Sequence, residues 1–320
     1  MDFKDKRILV TGAAGFIGSN LVDALLKIES KVIGIDNLFN GKLTNLAHAS
    51  KDPNFNFYKA DIRDFSFLLK ICKDIDIIYH MAAFTSVPDS VNMPRSCNDI
   101  NITGTFNILE CGRMYNIKSI IFASSGAVYG DTITLPMKED MPTNPISPYG
   151  VSKLTGEKYL YQYSKNYGLN TIALRYQNVY GPRQEMSPYS GVISKWLGNL
   201  QNKQNLLIYG DGEQIRDFVY IKDVINANLK AAISKKVEGE VFNIGSDTKI
   251  SINELAKTIK ELWGFNNIEI EYTEPRIGDI EKGYADITKA RSLLNYEPKF
   301  DIHAGLLDYI NWIKSEKIKN

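Results

Sequence analysis

The sequence ILVTGAAGFIG occupies residues 8–18, and the amphipathic run SNLVDALL follows it at residues 19–26. The apolar residues before the first glycine predict a short buried strand, and the spacing after the last glycine predicts a helix. The glycines between them fall as GxxGxxG, a pattern less common than GxGxxG. Such glycines allow a tight turn, let the backbone approach a pyrophosphate and leave helix N-terminal amides open to it. This stretch therefore predicts a dinucleotide-binding βα unit.

Strand-like and helical segments alternate after this unit. Further strands are predicted at residues 31–37, 55–62, 75–83, 119–125 and 171–177. Helices are predicted at about 94–115 and 149–167. The alternation predicts an α/β fold with a doubly wound parallel sheet of the Rossmann type. After residue 183 the segments become shorter and the loops longer, which indicates a smaller lobe of mixed α/β structure.

Composition limits the classes of function. The 320 residues carry 38 basic and 37 acidic side chains, so charge gives no reason to expect nucleic acid or an anionic membrane as a partner. Cys72, Cys97 and Cys111 are odd in number and scattered, which predicts core filling rather than disulfides or a metal site. We see neither a signal peptide nor a membrane-spanning run, and we expect a cytoplasmic protein.

The stretch SPYGVSK at residues 147–153 places Tyr149 and Lys153 four residues apart. On a helix both side chains leave the same face. An ammonium group held beside a phenol lowers the phenol's pKa, which is ordinarily near ~10. A base tuned in this way is suited to abstracting the proton of a sugar or alcohol hydroxyl. Taken alone, the pair is more often an ordinary surface tyrosine and lysine.

Polar or small residues follow several of the predicted strands, where ligands of open α/β sheets bind. Asp36 ends the second strand and would accept from both ribose hydroxyls while repelling a 2′-phosphate, which favours NAD over NADP. Its alternative role is to cap the next turn. Asp61 would meet the adenine, and Ala82 would let a cofactor pass close. A hydroxyl on Ser125 could hydrogen-bond the reacting hydroxyl and Tyr149.

Four further polar residues could have either a structural or a functional role. We interpret His80 as a packed, hydrogen-bonded side chain rather than a catalyst. Asn101 is either a buried amide behind the cofactor or a solvent-facing residue. Arg216 and Arg276 lie in loops beside glycines, where they would clamp a diphosphate, although each alone is more often a surface arginine.

Read together, these residues resemble the extended short-chain dehydrogenase/reductase family, and most of all its NAD-dependent nucleotide-sugar 4-epimerases. The resemblance covers nearly the whole chain. It is carried by TGAAGFIG at 11–18, DI at 61–62, HMAA at 80–83, NITGT at 101–105, SSGAVYG at 124–130, SPYGVSK at 147–153, LRYQNVYGPRQ at 174–184, GDGEQIRDFVYIKDV at 210–224 and PRIGDI at 275–280.

The resemblance implies a Rossmann domain at 1–175 and a nucleotide-sugar lobe at 176–320, with some chain crossing back. It also implies a homodimer formed through a four-helix bundle of the helices near 94–115 and 149–167. The implied NAD contacts are Gly12, Gly15, Phe16, Ile17, Asp36, Asn37, Asp61, Ile62, Ala82, Ser124, Tyr149, Lys153 and Gln177. The implied contacts to a UDP-sugar are Ser86, Val87, Ser125, Asn178, Val192, Tyr209, Arg216, Arg276 and Asp279.

The implied catalytic residues are Ser125, Tyr149 and Lys153. Tyr149 as phenolate would take the proton of the 4-hydroxyl of the sugar while a hydride leaves for NAD. Lys153 and the cationic nicotinamide would lower its pKa, and Ser125 would relay or orient the hydroxyl. A 4-keto sugar would then turn over and receive the hydride on its other face, so no external reductant is consumed.

Departures from related patterns narrow the reaction. Dehydratases of this family resemble the chain but carry Asp-Glu after the serine or threonine, and decarboxylases carry a Glu nearby. Gly126 and Ala127 stand at those places and have no proton to give. Gly283 falls where glucose-restricted epimerases have a tyrosine, which predicts room for a 2-N-acetyl group. Its alternative role is a turn glycine. The competing functions are a hexuronic acid epimerase, a net oxidoreductase and a non-catalytic NAD sensor.

Overall fold

The computed structural model describes residues 3–186, 191–264, 268–275 and 281–319. Its centre is a sheet of seven parallel strands in the order β11-β6-β5-β4-β1-β2-β3. These strands are β1 (Arg7–Thr11), β2 (Lys31–Asp36), β3 (Phe55–Lys59), β4 (Ile77–His80), β5 (Ser119–Ser125), β6 (Thr171–Tyr176) and β11 (Glu240–Ile244). The strand order reverses between β1 and β4, so the predicted doubly wound fold is confirmed.

Helices cover both faces of the sheet. In sequence order they are α1 (Phe16–Lys27), α2 (Phe65–Ile71), α3 (Val87–Asn92), α4 (Pro94–Asn98), α5 (Gly104–Met114), α6 (Pro148–Tyr167), α7 (Val192–Gln201), α8 (Ile221–Ile233), α9 (Ile252–Trp263), α10 (Thr288–Leu294) and α11 (Ile302–Lys319). Val10 of β1 packs into one core with Leu21 of α1, whereas its neighbour Leu9 packs into a second core with Leu109 of α5. Strands buried on both faces read as continuous apolar runs, which is why β1 lacks alternation.

Short strands build the C-terminal lobe. They are β7 (Asn178–Tyr180), β8 (Leu206–Tyr209), β9 (Ile215–Arg216), β10 (Phe218–Tyr220), β12 (Ile250–Ser251), β13 (Ile270–Thr273) and β14 (Lys282–Gly283). They pair as β10 with β7, β13 with β8, and β9 between β12 and β14. Between these segments the chain returns to the main sheet, because β11 pairs with β6 from Glu240↔Ile172 to Ile244↔Tyr176.

The predicted helix at 94–115 is helical from Pro94 to Met114, with one correction. Asp99–Thr103 forms a π-helical turn between α4 and α5. Such a turn widens the helix by one residue, and it frequently lies at functional sites. Asn101 is at its centre and is 2% exposed. The buried reading of Asn101 is therefore confirmed.

All three cysteines are buried free thiols, as predicted. None of the helices in the described ranges has both the length and the apolar character needed to cross a bilayer.

Candidate active site

The glycine-rich turn forms a cradle above the start of α1. Gly12 has φ of +65°, and a Cβ on it would lie 2.7 Å from the Ala82 nitrogen. A Cβ on Gly18 would lie 2.0 Å from the Gly12 oxygen. Gly15 is the N-cap of α1 and gives it no side-chain cap, so the first amides of the helix stay open to a ligand. This geometry fits a pyrophosphate.

Asp36 lies at the end of β2 and is 8% exposed. Its carboxylate accepts from Ala14 N at 3.0 Å and from Leu38 N at 2.8 Å. Burial raises the pKa of Asp36, and these two backbone hydrogen bonds oppose the rise. Both of its predicted roles are therefore compatible with the structure, since the residue fixes the following turn and also lines the cleft.

Asp61 and Asn37 are joined beside Asp36. Asn37 Nδ2 donates to Asp61 Oδ2 at 2.9 Å, and the Arg63 guanidinium donates to both carboxylate oxygens at 2.9 and 2.8 Å. The hydrogen bonds from Arg63 hold the pKa of Asp61 well below its usual range. Sequence reasoning missed Arg63, although a basic residue two positions after the strand-end acid was visible.

One large cleft, with a cavity volume of about 870 Å³, crosses the carboxyl ends of the strands. It gathers most of the predicted cofactor residues, which come from seven separate segments of the chain. Those lining it are Gly12, Gly15, Phe16, Ile17, Asp36, Asn37, Asp61, Ile62, Ala82, Ser124, Tyr149 and Gln177. Lys153 does not line it and is 3% exposed behind Tyr149. Gln177 Nε2 is buried without a hydrogen-bond partner in the described residues, which calls for an explanation.

A second cavity of about 270 Å³ lies in the C-terminal lobe. It brings together four predicted substrate residues, namely Asn178, Val192, Tyr209 and Arg216. Its wall shares Val179, Gln184 and Gly191 with the large cleft, so the two cavities are adjacent.

The other predicted substrate residues are distributed differently. Ser86 and Ser125 line the large cleft. Val87 lines neither cavity and is 42% exposed, because its place in the first turn of α3 directs it to solvent. Arg276 and Asp279 lie outside the described residues.

The predicted catalytic residues come together at the carboxyl end of β5. Ser147 caps α6 by accepting from Gly150 N at 3.1 Å, which starts the helix that carries Tyr149 and Lys153. The Ser125 side chain hydrogen-bonds the Tyr149 phenol and lowers its pKa. Lys153 Nζ lies 5.7 Å from the centroid of the Tyr149 ring.

The predicted lowering of the Tyr149 pKa by Lys153 is wrong for the protein chain alone. Burial raises the pKa of Tyr149, and the hydrogen bond from Ser125 only partly opposes this rise. The reason is the direction of the lysine, whose Nζ donates to the Ala123 carbonyl at 2.8 Å rather than to the phenol oxygen. Burial also lowers the pKa of Lys153 to about 8.

A buried ion pair that sequence reasoning missed supports this site from behind. Arg175 donates to Glu157 Oε1 at 2.9 Å and to Oε2 at 2.7 Å, and both side chains are about 4% exposed or less. Ser124 donates to Glu157 Oε1 at 2.5 Å, so the hydroxyl of this predicted cofactor residue is already engaged. Glu157 follows Lys153 by one helical turn, and that spacing was the available signal.

His80 and Asn101 complete the packing behind the cleft. His80 Nδ1 lies 2.7 Å from Thr11 Oγ1 and Nε2 lies 3.0 Å from Thr105 Oγ1, which confirms a packed histidine. Burial lowers the pKa of His80 to about 3. Asn101 accepts from Phe84 N at 2.7 Å and donates to Ser152 Oγ at 2.9 Å, so the π-helical turn anchors α6 next to Tyr149.

The fold and this site define an enzyme of the short-chain dehydrogenase/reductase type. Residues 8–245 match the family model described as the NAD dependent epimerase/dehydratase family, and the chain belongs to that family. The predicted cofactor, NAD, is confirmed at the level of the family.

Similar proteins cover almost the full chain. A Methanocaldococcus jannaschii protein with the provisional name UDP-glucose 4-epimerase is 45% identical over 96% of this chain and 98% of its own. The solved UDP-N-acetylglucosamine 4-epimerase of Methanobrevibacter ruminantium M1 is 40% identical, with a TM-score of 0.93 and coverage of 98% of this chain and 99% of that chain. The UDP-glucuronic acid 4-epimerase of Bacillus cereus, solved with UDP-glucuronic acid and NAD, is 35% identical, with a TM-score of 0.89 and coverage of 97% and 99%.

Proposed function

We propose that this protein catalyses NAD-dependent 4-epimerisation of a UDP-hexose through a transient 4-keto sugar. The observation that carries the proposal is the position of the Ser125–Tyr149 pair. Both residues line the large cleft, and that cleft lies next to the lobe cavity that Arg216 lines. A sugar bound through its diphosphate near Arg216 would extend towards Tyr149. The full-length relatives described above are named as 4-epimerases, which supports this reaction type.

The cradle of Gly12, Gly15 and Gly18 would hold the cofactor pyrophosphate, and Asp36 would hold the adenosine ribose. Bound NAD supplies a hydride acceptor whose oxidised ring is positively charged. That charge bears on the tyrosine, since an added cation near a phenol lowers its pKa. Burial alone raises the pKa of Tyr149, so the phenol becomes a competent base only in the loaded site.

The side chains of this protein then have separate roles. Tyr149 removes the proton of the 4-hydroxyl and later returns it, and the Ser125 hydroxyl orients both oxygens. Lys153 acts from behind the ring, because its ammonium group is fixed on the Ala123 carbonyl. The ketone must present its opposite face before the hydride returns. The division into a cofactor domain to about residue 175 and a substrate lobe after it fits these roles.

Loss of water or carbon dioxide would need an acid or base after Ser125. Gly126 and Ala127 occupy that turn, and Ser125 Oγ accepts from Ala127 N at 3.2 Å. Neither residue has a side chain that titrates. We therefore propose epimerisation rather than dehydration or decarboxylation for this member of the family.

We further propose that the substrate is a UDP-N-acetylhexosamine, UDP-GlcNAc or UDP-GalNAc, with UDP-Glc and UDP-Gal also accepted. Gly283 lies in β14 and pairs with Arg216, which lines the lobe cavity. A Cβ on Gly283 would meet no described atom within 4 Å, and its φ lies outside the left-handed region. The turn-glycine alternative is therefore disfavoured, and space at this position supports a bulky 2-substituent.

The direct test is product analysis by NMR of the sugar anomeric region, with purified protein and no added NAD. UDP-N-acetylglucosamine should yield the galacto product. Turnover of UDP-glucose alone would keep the epimerase and discard the N-acetyl proposal. Turnover of UDP-glucuronic acid alone would move the protein to the hexuronic acid epimerases, and failure on all three would overturn the proposed reaction.

Gly283→Tyr tests the substrate proposal separately. The added ring should reduce kcat/KM for the N-acetylated sugar by at least about tenfold, corresponding to ~1.4 kcal/mol, while UDP-glucose turnover is retained. Gly283→Ala serves as the matched control, because its small side chain fits the open space. Equal losses on both sugars in the tyrosine variant would contradict a steric role in selecting the 2-substituent.

We also propose a homodimer formed through α5 and α6. Apolar side chains on these helices are unusually exposed: Phe106 at 40%, Met114 at 49%, Val151 at 48%, Tyr159 at 38% and Tyr167 at 57%. Phe106 packs against Tyr159 with ring centroids 5.8 Å apart, so part of the patch is contiguous. Two copies of the helix pair would form a four-helix bundle.

Light scattering should give twice the chain mass, and a double Phe106→Glu, Tyr159→Glu variant should be monomeric.

A further inference from the structure

Asp217 is a fully buried acid between β9 and β10, with 0% exposure. It directly follows Arg216, which lines the lobe cavity. It does not itself line either cavity, and it therefore has no direct route to a ligand.

The backbone of Asp217 connects three residues that bear on the substrate site. Its carbonyl accepts from Asn178 N at 3.2 Å and from Asn178 Nδ2 at 2.9 Å. Its N–H donates to the Gly283 carbonyl at 3.2 Å. Arg216 precedes it in the chain. A displacement of Asp217 would thus displace Arg216, Asn178 and Gly283 together.

The side chain of Asp217 is anchored on one oxygen only. Oδ1 accepts from Ser246 N at 2.8 Å and from Ser246 Oγ at 2.7 Å. Oδ2 is buried and has no hydrogen-bond partner among the described residues. An unpaired buried acceptor is costly, so its retention calls for an explanation.

A buried donor without a partner lies on the same flank. A Cβ placed on Gly245 would lie 2.1 Å from Asp217 Oδ2 and 3.2 Å from Gln177 Cγ, so both side chains lie beside this glycine. Gln177 Nε2 is the unsatisfied donor. The Gln177 amide also reaches the turn after Ser125, since a Cβ on Gly126 would lie 3.1 Å from Nε2. Gln177 therefore spans the distance between the catalytic turn and Asp217.

We propose that Asp217 is a positioning residue that sets the substrate-binding Arg216 and Asn178 against the cofactor cleft, with its Oδ2 as the acceptor for the Gln177 amide in the ligand-bound site. This inference rests on the proposed function. It assigns Asp217 no contact with substrate, and it makes the UDP-sugar affinity depend on the charge of a buried carboxylate outside the cleft.

Charge and pH give this role a distinct signature. Burial raises the pKa of Asp217 to about 6, and the nearby Asp247 raises it as well, while Ser246 opposes the rise. Among the described residues around it, the titratable and charged groups are Asp247, Tyr296 and the adjacent Arg216. Protonation of Asp217 below pH ~6 would turn Oδ2 from a hydrogen-bond acceptor into a donor, which would then face the donor Nε2 of Gln177. A UDP-sugar has no second phosphate proton in this range, because its diphosphate is esterified at both ends.

The test compares Asp217→Asn with Asp223→Asn in the purified full chain with saturating NAD. Asp223 is also a buried acid with a raised pKa, but both of its oxygens accept backbone N–H groups, from Lys299 and Phe300, in α8. The amide at 217 can keep its oxygen on Ser246, whereas the amide at 223 must lose one hydrogen bond. KM, kcat and Tm are measured for each from pH 5 to 7.5 with the UDP-sugar that the wild type turns over.

Asp217→Asn should raise KM about tenfold at pH 7.5 with kcat within about twofold and Tm not lowered. The wild-type KM should rise below pH ~6 towards the value of the variant, whose own KM should not change with pH. Asp223→Asn should lower Tm and leave KM unchanged. A wild-type KM that does not change between pH 5 and 7.5 overturns the proposal without any variant. A KM of Asp217→Asn equal to that of the wild type also overturns it. Absence of wild-type turnover would instead overturn the proposed function.

Discussion

The two sides of the cleft differ in how their buried polar groups are satisfied. On the sheet side, Ser124, Glu157 and Arg175 saturate one another, and His80 is held by two threonines. On the lobe side, buried atoms without partners in the described structure concentrate between residues 177 and 217. They are Gln177 Nε2, Arg183 Nη1, Gln184 Oε1, Gln214 Oε1 and Asp217 Oδ2. Three other such atoms, Asp23 Oδ1, the Tyr79 hydroxyl and Asn170 Oδ1, lie on the sheet side and line neither cavity.

The contrast indicates what each side does. A saturated network is rigid, and rigidity behind Tyr149 would keep the proposed catalytic base in place when ligands bind and leave. Unpaired donors and acceptors have a cost in the free protein that a ligand can remove. Gln177, Arg183 and Gln184 line the large cleft, and Gln214 lines the lobe cavity, so the cost lies where the ligands bind.

The largest expected effect comes at Tyr149, where the two sides meet. Tyr149→Phe removes the proton acceptor and keeps the ring, so kcat should fall by about 10³-fold or more. The variant loses the hydrogen bond from Ser125, so its free energy of unfolding should change by only about 1 kcal/mol, and NAD content and UDP-sugar binding should stay close to wild type. Single-turnover kinetics, with the absorbance of the reduced cofactor as the readout, would check the loss of hydride transfer. Residual activity within tenfold of wild type would exclude Tyr149 as the base.

The hydrogen-bonded network on the sheet side can be disrupted at Glu157. Glu157→Gln leaves the Arg175 guanidinium buried without its counter-charge, and the free energy of unfolding should fall by about 3 kcal/mol. Glu157 also raises the pKa of Lys153, so its neutralisation should lower that pKa further below its ordinary value. Urea denaturation measures the first effect.

Glu29→Gln is the control for Glu157→Gln. Glu29 pairs with Lys4 at 2.8 Å with both side chains more than half exposed, and such an exposed pair contributes less than about 1 kcal/mol. Equal losses in the two variants would show that burial of the Glu157 pair has no special weight in stability.

On the lobe side, neutralising Asp217 should raise the free energy of unfolding, whereas neutralising Glu157 lowers it. Its pKa is higher in the folded state than the ordinary 3.8, so the folded state binds the proton more tightly and the wild type loses stability as pH rises from about 4 to about 6. Asp217→Asn lacks this loss. Its unfolding free energy relative to wild type should therefore increase over that interval, by at most about 3 kcal/mol, and level off above it. A difference that is constant with pH would contradict a titrating Asp217.

The features of the cleft that are local in sequence could be predicted. The glycine cradle and the Tyr149–Lys153 spacing each need only a few adjacent residues, and both are present in the fold. The direction in which a side chain points could not be predicted from the sequence. Burial raises the pKa of Tyr149, and Lys153 does not offset this rise, because its Nζ donates to the Ala123 carbonyl.

Long-range partners were also beyond sequence reasoning. Glu157 and Arg175 lie 18 residues apart on a helix and a strand, and only the packed fold brings them together. Asp217 meets Asn178 and Gly283 through four strands of the lobe that are two or three residues long. Strands this short leave too little periodicity to predict their pairing.

The smallest expected effect concerns the ion pair that joins the two sides. Arg183 Nη2 on the lobe side of the cleft donates to Asp23 Oδ2 on α1 at 2.5 Å. The two side chains are 18% and 26% exposed. Arg183 has φ of +71°, a conformation that costs energy in any residue with a side chain. The pair therefore holds a strained backbone across the cofactor cleft, and it should slow the escape of NAD.

Asp23→Asn should speed NAD dissociation a few-fold, corresponding to ~1 kcal/mol, and added salt should speed the wild type more than the variant. Stopped-flow displacement of NAD would measure both. Glu185→Gln is the control, because Glu185 pairs with Lys42 at 3.4 Å across the same cleft with both side chains more than half exposed, and its loss should change little. If both variants release NAD equally fast, the cofactor is held by the cradle and Asp36 alone. The two sides would then be coupled only through bound ligand.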